Sequence, residues 1–264
     1  VAVNDVAIKT YDVNNGDGIE LGNSQHITFF NNFLNTGDDC VNFAAGTGAD
    51  AAKQPVQSDA WIFDNYFRKG HGAVVAGSHT GAWIEKILAE DNVAFGTEIG
   101  LRGKSNNING GGGRYIVYRD NAMKNLLRQA YIFTLEYTDT NGLIDYKPAA
   151  EVAQFHDITI KHNSVEFSPD TATPESTGNT NASQKMEVYP SIHIQGDMKS
   201  HAYHERIVFD DVVLINANPT KIDGLKDGVF RDVRFKNVKG GGNPWNVTNA
   251  PGILFEGSTT PPAK

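Results

Sequence analysis

Trp61-Ile62-Phe63-Asp64-Asn65-Tyr66-Phe67 decides the fold. A short alternating apolar run breaks on an acidic residue and an asparagine, then resumes. The phrase stands also at Ile27-Thr28-Phe29-Phe30-Asn31-Asn32-Phe33, at Ile87-Leu88-Ala89-Glu90-Asp91-Asn92-Val93 and at Ile116-Val117-Tyr118-Arg119-Asp120-Asn121-Ala122. It recurs around Asn163, Asp211 and Asn237. From Asn32 through Asn65, Asn92, Asn121, Asn163, Asp211 and Asn237, the steps are 33, 27, 29, 42, 48 and 26 residues. A period in the mid-twenties, stretched by insertions, is one coil of a β-solenoid. A β-sandwich with asparagine in its turns would not repeat one phrase seven times. Asparagine suits a fixed turn of every coil because it tolerates left-handed backbone and hydrogen-bonds the backbone or the asparagine above.

Working outward, Met123 to Phe133 is the best helical candidate, yet it follows a ladder asparagine and is read as strand. The long insertions are 46–58, 106–113, 139–154 and 168–189, and solenoid insertions gather on one face, often the binding face. Residues 1–257 are expected to form one domain, with 258–264 a frayed tail. The 264 residues are 39% hydrophobic and 20% charged, ordinary for a globular chain. No apolar run is long enough to span a membrane, and Val1 does not begin a signal peptide, with no basic start and no apolar stretch before a cleavage site. Without an initiator methionine, the chain reads as a mature or trimmed product. A single cysteine, Cys40, rules out an internal disulfide and is most simply a small buried residue. A net charge of −8 argues against a nucleic-acid partner, which favours a basic face. A polyanionic substrate would need a few placed cations to invert that charge locally.

Asp17 lies in Asn15-Gly16-Asp17-Gly18, and Asp38 and Asp39 lie in Thr36-Gly37-Asp38-Asp39-Cys40. The separations of 21 and 22 residues match one uninterrupted coil. Coils stack about 4.8 Å apart, so three carboxylates should share one small patch. Like charges that close cannot all ionise freely, and one should be driven to a raised pKa. Alone, an Asp-Asp pair is commonest as a turn. The following coils add Lys69-Gly70-His71-Gly72 and Leu101-Arg102-Gly103-Lys104.

These four blocks resemble glycoside hydrolase family 28, the polygalacturonases. That family reads Asn-Thr-Asp, Gly-Asp-Asp, Gly-His-Gly and Arg-Ile-Lys on consecutive coils of a right-handed parallel β-helix. Here the blocks are Asn15-Gly16-Asp17, Gly37-Asp38-Asp39, Gly70-His71-Gly72 and Arg102-Gly103-Lys104, with Gly16 and Gly103 departing from the usual Thr and Ile. Tyr137, in Leu135-Glu136-Tyr137-Thr138-Asp139, matches a substrate-contacting tyrosine. Asn42 to Gly48 and Gly77 to Glu85 resemble bacterial exo-poly-α-galacturonosidases in particular. Those enzymes carry further N-terminal coils, so an N-terminal portion is expected to be missing here, with a segment or second chain capping the open end.

The resemblance implies inverting hydrolysis of α-1,4 bonds in polygalacturonate, with exo action and a periplasmic or secreted bacterial setting. Asp38 would be the general acid, while Asp17 and Asp39 hold and deprotonate the attacking water. His71 would tune the acid; Arg102, Lys104 and Tyr137 would bind substrate. No cofactor or metal is implied. Rivals are an endo-polygalacturonase, a rhamnogalacturonan hydrolase, a calcium-dependent pectate lyase using three clustered aspartates, and a non-catalytic β-helical binding module. Gly110 to Arg114 imitates a phosphate loop but lacks its βαβ setting and is read as a turn between coils. His193, His201 and His204 hint at a metal site that no acidic set completes. Asn181-Ala182-Ser183 and Asn246-Val247-Thr248 fit the glycosylation pattern, relevant only in a eukaryotic secretory host.

Overall fold

The computed structural model describes residues 1–138, 146–168 and 188–260. Each early coil contributes three strands. The first holds β1 (Ala2–Asn4), β2 (Ala7–Lys9) and β3 (Ile19–Gly22); the second β4 (Gln25–Phe30), β5 (Phe33–Asn35) and β6 (Val41–Ala44). The third holds β7 (Gln57–Phe63), β8 (Tyr66–Arg68) and β9 (Gly72–Ala76); the fourth β10 (Ile84–Glu90), β11 (Val93–Phe95) and β12 (Ile99–Lys104). The fifth holds β13 (Gly112–Arg119), β14 (Ala122–Leu126) and β15 (Tyr131–Thr134). Two long strands, β16 (Gln154–Phe167) and β18 (His204–Ile215), then run through two faces, each followed by a short strand, β17 (Ile192–Gln195) and β19 (Lys221–Asp223). The chain closes with β20 (Leu225–Lys226), β21 (Val229–Arg231), β22 (Arg234–Lys236), β23 (Val247–Thr248) and β24 (Leu254–Glu256).

Every pairing between these strands is parallel and joins neighbouring coils, giving a right-handed parallel β-helix. Three faces result. The first runs from β1 through β4, β7, β10 and β13, and the second from β2 through β5, β8, β11 and β14. The third face, the one that matters for function, is the separate sheet β3-β6-β9-β12-β15-β17-β19-β23.

Period-2 alternation sends every second side chain inward. Phe29, Ile62, Ala89, Tyr118, Ile160, Phe209 and Phe230 occupy one inward column, stacked coil upon coil and fully buried. Val41, Val74, Leu101, Tyr131 and Ile192 form the matching column of the third face. The residues between them, Asn42, Val75, Arg102, Ile132 and His193, therefore point outward as a floor.

Five buried asparagines form the ladder. Nδ2 of Asn32 donates to Oδ1 of Asn65 at 3.0 Å, Asn65 to Asn92 at 2.9 Å, Asn92 to Asn121 at 3.1 Å and Asn121 to Asn163 at 3.4 Å. Their own backbone is not left-handed. That conformation falls on the residue before each: Asn31, Asp64, Asp91, Asp120 and His162, with φ between 52° and 56°. Two expected rungs are thereby corrected. Asp211 is a left-handed turn residue (φ 52°), and Val212 pairs with Asn163, ending the ladder. Asn237 stacks on Asn216 at 2.6 Å in a different turn.

Met123 to Phe133 is strand-rich, split between β14 and β15. The glycine run at 110–113 enters β13 rather than forming a turn throughout. Insertions 46–58, 106–113 and 139–154 all leave the third face at the C-terminal ends of its strands. The segment 168–189 does not share that edge: it joins β16 to β17, so it enters the third face at the opposite edge. Residues 139–145 and 169–187, Asn181 among them, and residues 261–264 of the expected tail at 258–264 lie outside the described residues.

Candidate active site

The turns that carry the chain onto the third face hold Asp17, Asp38, Asp39 and His71, while Arg102 and Lys104 project from β12. Strand register fixes who sits over whom. Ile19 pairs with Val41, which places Asp17 against Asp39 one coil on. Val41 pairs with Val74, which places Asp38 against His71. His71 Nδ1 is 2.9 Å from Asp38 Oδ1, and the His71 amide donates to the Asp38 carbonyl at 3.0 Å. The flanking glycines allow this closeness. Gly70 has φ +100°, and a Cβ there would meet the Asp38 carbonyl oxygen at 2.9 Å.

The two departures from the family blocks also have steric reasons. A Cβ on Gly16 would lie 2.7 Å from the carbonyl oxygens of Thr10 and Val13 in a tight turn. Gly103 faces inward, where a Cβ would lie 2.7 Å from the Phe133 ring and 2.8 Å from the Phe155 ring. Those rings fill the space an isoleucine side chain would need.

Asp39 is almost wholly buried, 1% exposed. Lys104 Nζ bonds its Oδ2 at 2.8 Å and Arg102 Nη1 its Oδ1 at 3.2 Å. Both cations expected to clamp substrate thus already hold an aspartate of the cluster, a pairing that spacing alone did not reveal. Tyr137 joins them: its ring centroid lies 5.0 Å from Lys104 Nζ and 5.6 Å from Arg102 Cζ. All seven residues singled out in the sequence therefore meet across the third face, from the turns that enter it to Tyr137 beyond the C-terminal end of β15.

Proton affinities divide unequally. Burial, reinforced by Asp38, Asp39 and Glu20, raises Asp17 to about 7, with Lys104 opposing. Burial also pushes Asp38 up, but the His71 hydrogen bond and the charges of His71, Lys104 and Arg102 overcome it and hold Asp38 below the ordinary value. Burial works to lower His71, and its bond to Asp38 with the charges of Glu98, Asp38 and Asp39 holds it above the ordinary value. One carboxyl is thus driven up as the spacing requires, and it is Asp17. The pair Asp38–His71 keeps its proton on the imidazole side.

Two residues passed over in the sequence belong to this turn. Ile99 pairs with Gly72 and Leu101 with Tyr131, which continues the column Asp38–His71 into Glu98 and then Arg128. Glu98 is buried, and Arg128 Nε forms an ion pair with its Oε2 at 3.2 Å. A signal was present: His71 to Glu98 is 27 residues and Glu98 to Arg128 is 30, against 27 and 29 for the same two steps of the asparagine ladder.

Other candidates resolve as structure. Cys40 is buried between the Thr36 hydroxyl and the Lys69 carbonyl, and burial raises its thiol to about 12. His204 is buried: its Nδ1 accepts from the Phe155 amide and its Nε2 donates to the Gln195 carbonyl, both at 3.1 Å. No group of three or more potential metal ligands gathers among the described residues.

The family described as glycosyl hydrolases family 28 matches residues 1–203. The exo-poly-α-D-galacturonosidase of Dickeya chrysanthemi is 44% identical over 262 residues, which is 99% of this chain and 41% of that protein. The family 28 exopolygalacturonase of Yersinia enterocolitica superposes with a TM-score of 0.83 at 46% identity, over 96% of this chain and 41% of that one. A hyperthermoactive exopolygalacturonase from Thermotoga maritima shares the fold at 19% identity, with a TM-score of 0.73 over 89% of this chain and 47% of that one. The chain thus spans about two fifths of the length of the Dickeya and Yersinia relatives.

Proposed function

Because this chain belongs to glycosyl hydrolases family 28, we propose that it hydrolyses α-1,4-galacturonosidic bonds of polygalacturonate by inversion, removing units from a chain end. The observation that carries the reading is the Asp38–His71 pair at 2.9 Å with Asp17 and Asp39 stacked beside it. Asp38 protonates the leaving glycosidic oxygen. Water held by Asp17 and Asp39 attacks the anomeric carbon from the opposite face, so no covalent intermediate forms. Lys104 and Arg102 hold the Asp39 carboxylate in place by hydrogen bonds, and they present positive charge to a uronate carboxylate in an otherwise acidic protein.

A second reading gives Asp17 the acid role, and the proton it retains up to about pH 7 favours it. The stored proton of the Asp38–His71 pair favours the first. In a coupled cluster the proton belongs to the group as a whole until substrate chooses its place.

Exo action is supported by the two exo-acting relatives and by a wall at the C-terminal edge of the third face. There Gly81 donates to the Gly46 carbonyl at 2.9 Å, Ala49 to that of Lys147 at 2.8 Å and Ala149 to that of Ile108 at 2.9 Å. Three insertions are thereby knitted together, and two of them, 46–58 and 139–154, line with His79 a cavity of about 350 Å3. Walls of this kind convert an open groove to a blind one. A substrate that is a large extracellular polymer also supports a periplasmic or secreted enzyme. The test is digestion of intact polygalacturonate with viscosity and reducing ends followed together. Exo action releases short products from the outset while viscosity falls slowly. Viscosity that halves when a few percent of bonds are cut makes the enzyme endo-acting.

A further inference from the structure

The column that begins with Asp38 does not stop at His71. Its four members occupy one position of four successive coils: Asp38, His71, Glu98 and Arg128, alternating in charge. The two outer contacts are direct, 2.9 Å from Asp38 to His71 and 3.2 Å from Glu98 to Arg128. Backbone bonds lock the stack, with Arg128 donating to the Glu98 carbonyl at 2.9 Å and Glu98 to that of Gly70 at 2.9 Å. Arg128 is held in turn over the Tyr189 ring at 4.8 Å. Glu98 is 3% exposed. Burial raises the Glu98 carboxyl above its ordinary value, and the charges of Arg128, His71 and Arg102 oppose that rise, Arg128 most strongly.

We propose that Glu98, anchored by Arg128, is a positioning residue that keeps the His71 imidazole charged and its Nδ1–H directed at Asp38. The proposal rests on the hydrolase reading above. Glu98 acts across one coil, at about 4.8 Å, where an opposite charge favours the ionised imidazole. Without it, the Asp38 bond is left to oppose burial with less help, so His71 holds its proton less firmly and Asp38 is oriented by a weaker donor.

The other charged groups around His71 are accounted for. Asp38 and Asp39 face it from the turn before β6, with Asp17 a coil beyond. Lys69, on its own turn, is directed onto the Tyr11 ring at 3.6 Å. Arg102 and Lys104 from β12 are bound to Asp39. Glu98 is therefore the negative charge on the side of His71 away from the carboxylate cluster. Consistent with this, His71 is held above its ordinary proton affinity with Glu98 among the causes, after burial and the Asp38 bond.

The experiment is an NMR titration of the His71 imidazole in the free protein, beside pH profiles on polygalacturonate. In Glu98→Gln the His71 midpoint falls, kcat drops about tenfold, less than for loss of the acid itself, and KM stays within about twofold. The alkaline limb of kcat/KM moves to lower pH. Glu98→Asp, which keeps the charge, restores the midpoint. If Glu98→Gln fails to fold because Arg128 is left unpaired, the double variant Glu98→Gln/Arg128→Met removes the buried pair together and shows a smaller fall of the same sign. An unchanged midpoint, or a loss of activity with an unmoved pH profile, overturns the proposal. Should the native protein leave polygalacturonate intact, the hydrolase reading fails separately, since the titration needs no substrate.

Discussion

Two turns of the same coil stack their side chains in the same geometry and to opposite ends. Between the first and second faces the rungs are alike: Asn32, Asn65, Asn92, Asn121 and Asn163, each donor meeting the next acceptor. Between the second and third faces the rungs differ: Asp38, His71, Glu98 and Arg128. Identical amides at coil spacing satisfy one another and hold the winding together. Unlike charges at the same spacing cannot relax into a neutral ladder, so the proton affinities of Asp38, His71 and Glu98 each feel the charge of a neighbouring rung. One scaffold thus supplies a structural column and a chemical one, and the choice of residue alone separates them.

The largest expected effect breaks the chemical column. Asp38→Asn should cost about 10³-fold or more in turnover on polygalacturonate while leaving thermal stability close to native. It also decides between the two assignments of the acid. An aryl galacturonide with a good leaving group needs no protonation, so Asp38→Asn should regain most of its turnover on it while Asp17→Asn should not. The reverse pattern would make Asp17 the acid.

The structural column should respond the other way. In Asn92→Ala, the Asn65 amide and side chain lose their acceptor at 3.1 and 2.9 Å, and the carbonyls of Ile62 and Glu90 lose a donor. Each buried orphan costs about 1–3 kcal/mol, not additively, so about 4 kcal/mol of stability is expected to go. Denaturant unfolding measures it. Residual folded protein should keep native kcat, since no ladder asparagine touches the third face. A turnover defect with unchanged stability would contradict the division of labour.

How much of this was legible depended on periodicity. The repeated phrase identified the coil, and coil spacing brought Asp17, Asp38 and Asp39 together before any coordinates. His71, Arg102 and Lys104 came from residue type and family blocks. What they bond did not, because the pairing of Lys104 with Asp39 joins residues 65 apart whose side chains meet only through register and reach. Asp211 misled for a related reason. An acidic residue fits the left-handed position before the rung as well as asparagine fits the rung, and a one-residue offset is invisible without the strand pairing. Glu98 and Arg128 were missed because neither sits in a glycine-flanked block, though counting by the ladder's steps from His71 reaches Glu98 and then falls one residue short of Arg128.

The smallest expected effect sharpens the comparison from within the carboxylate cluster. Asp17 holds its proton to about pH 7, against an ordinary value of 3.8, chiefly through burial and then through Asp38 and Asp39. Between those two values the folded chain binds a proton that the unfolded chain has released. Stability therefore declines as pH rises through that window, the sign set by the larger proton count of the native state. Below the window both states are protonated and the term vanishes; above it the full cost of an ionised, crowded carboxylate remains. Asp17→Asn keeps the shape and removes the charge, so it should match the native protein near pH 4 and exceed it at pH 8. Asp17 is only partly buried and solvent screens the repulsion, so a gain of about 1–2 °C in Tm is expected. Asn92→Ala, by contrast, should lose the same stability at both pH values, because no proton is exchanged in the asparagine ladder. A variant at Asp17 whose Tm advantage did not grow between pH 4 and pH 8 would mean that the three carboxylates do not crowd one another in solution.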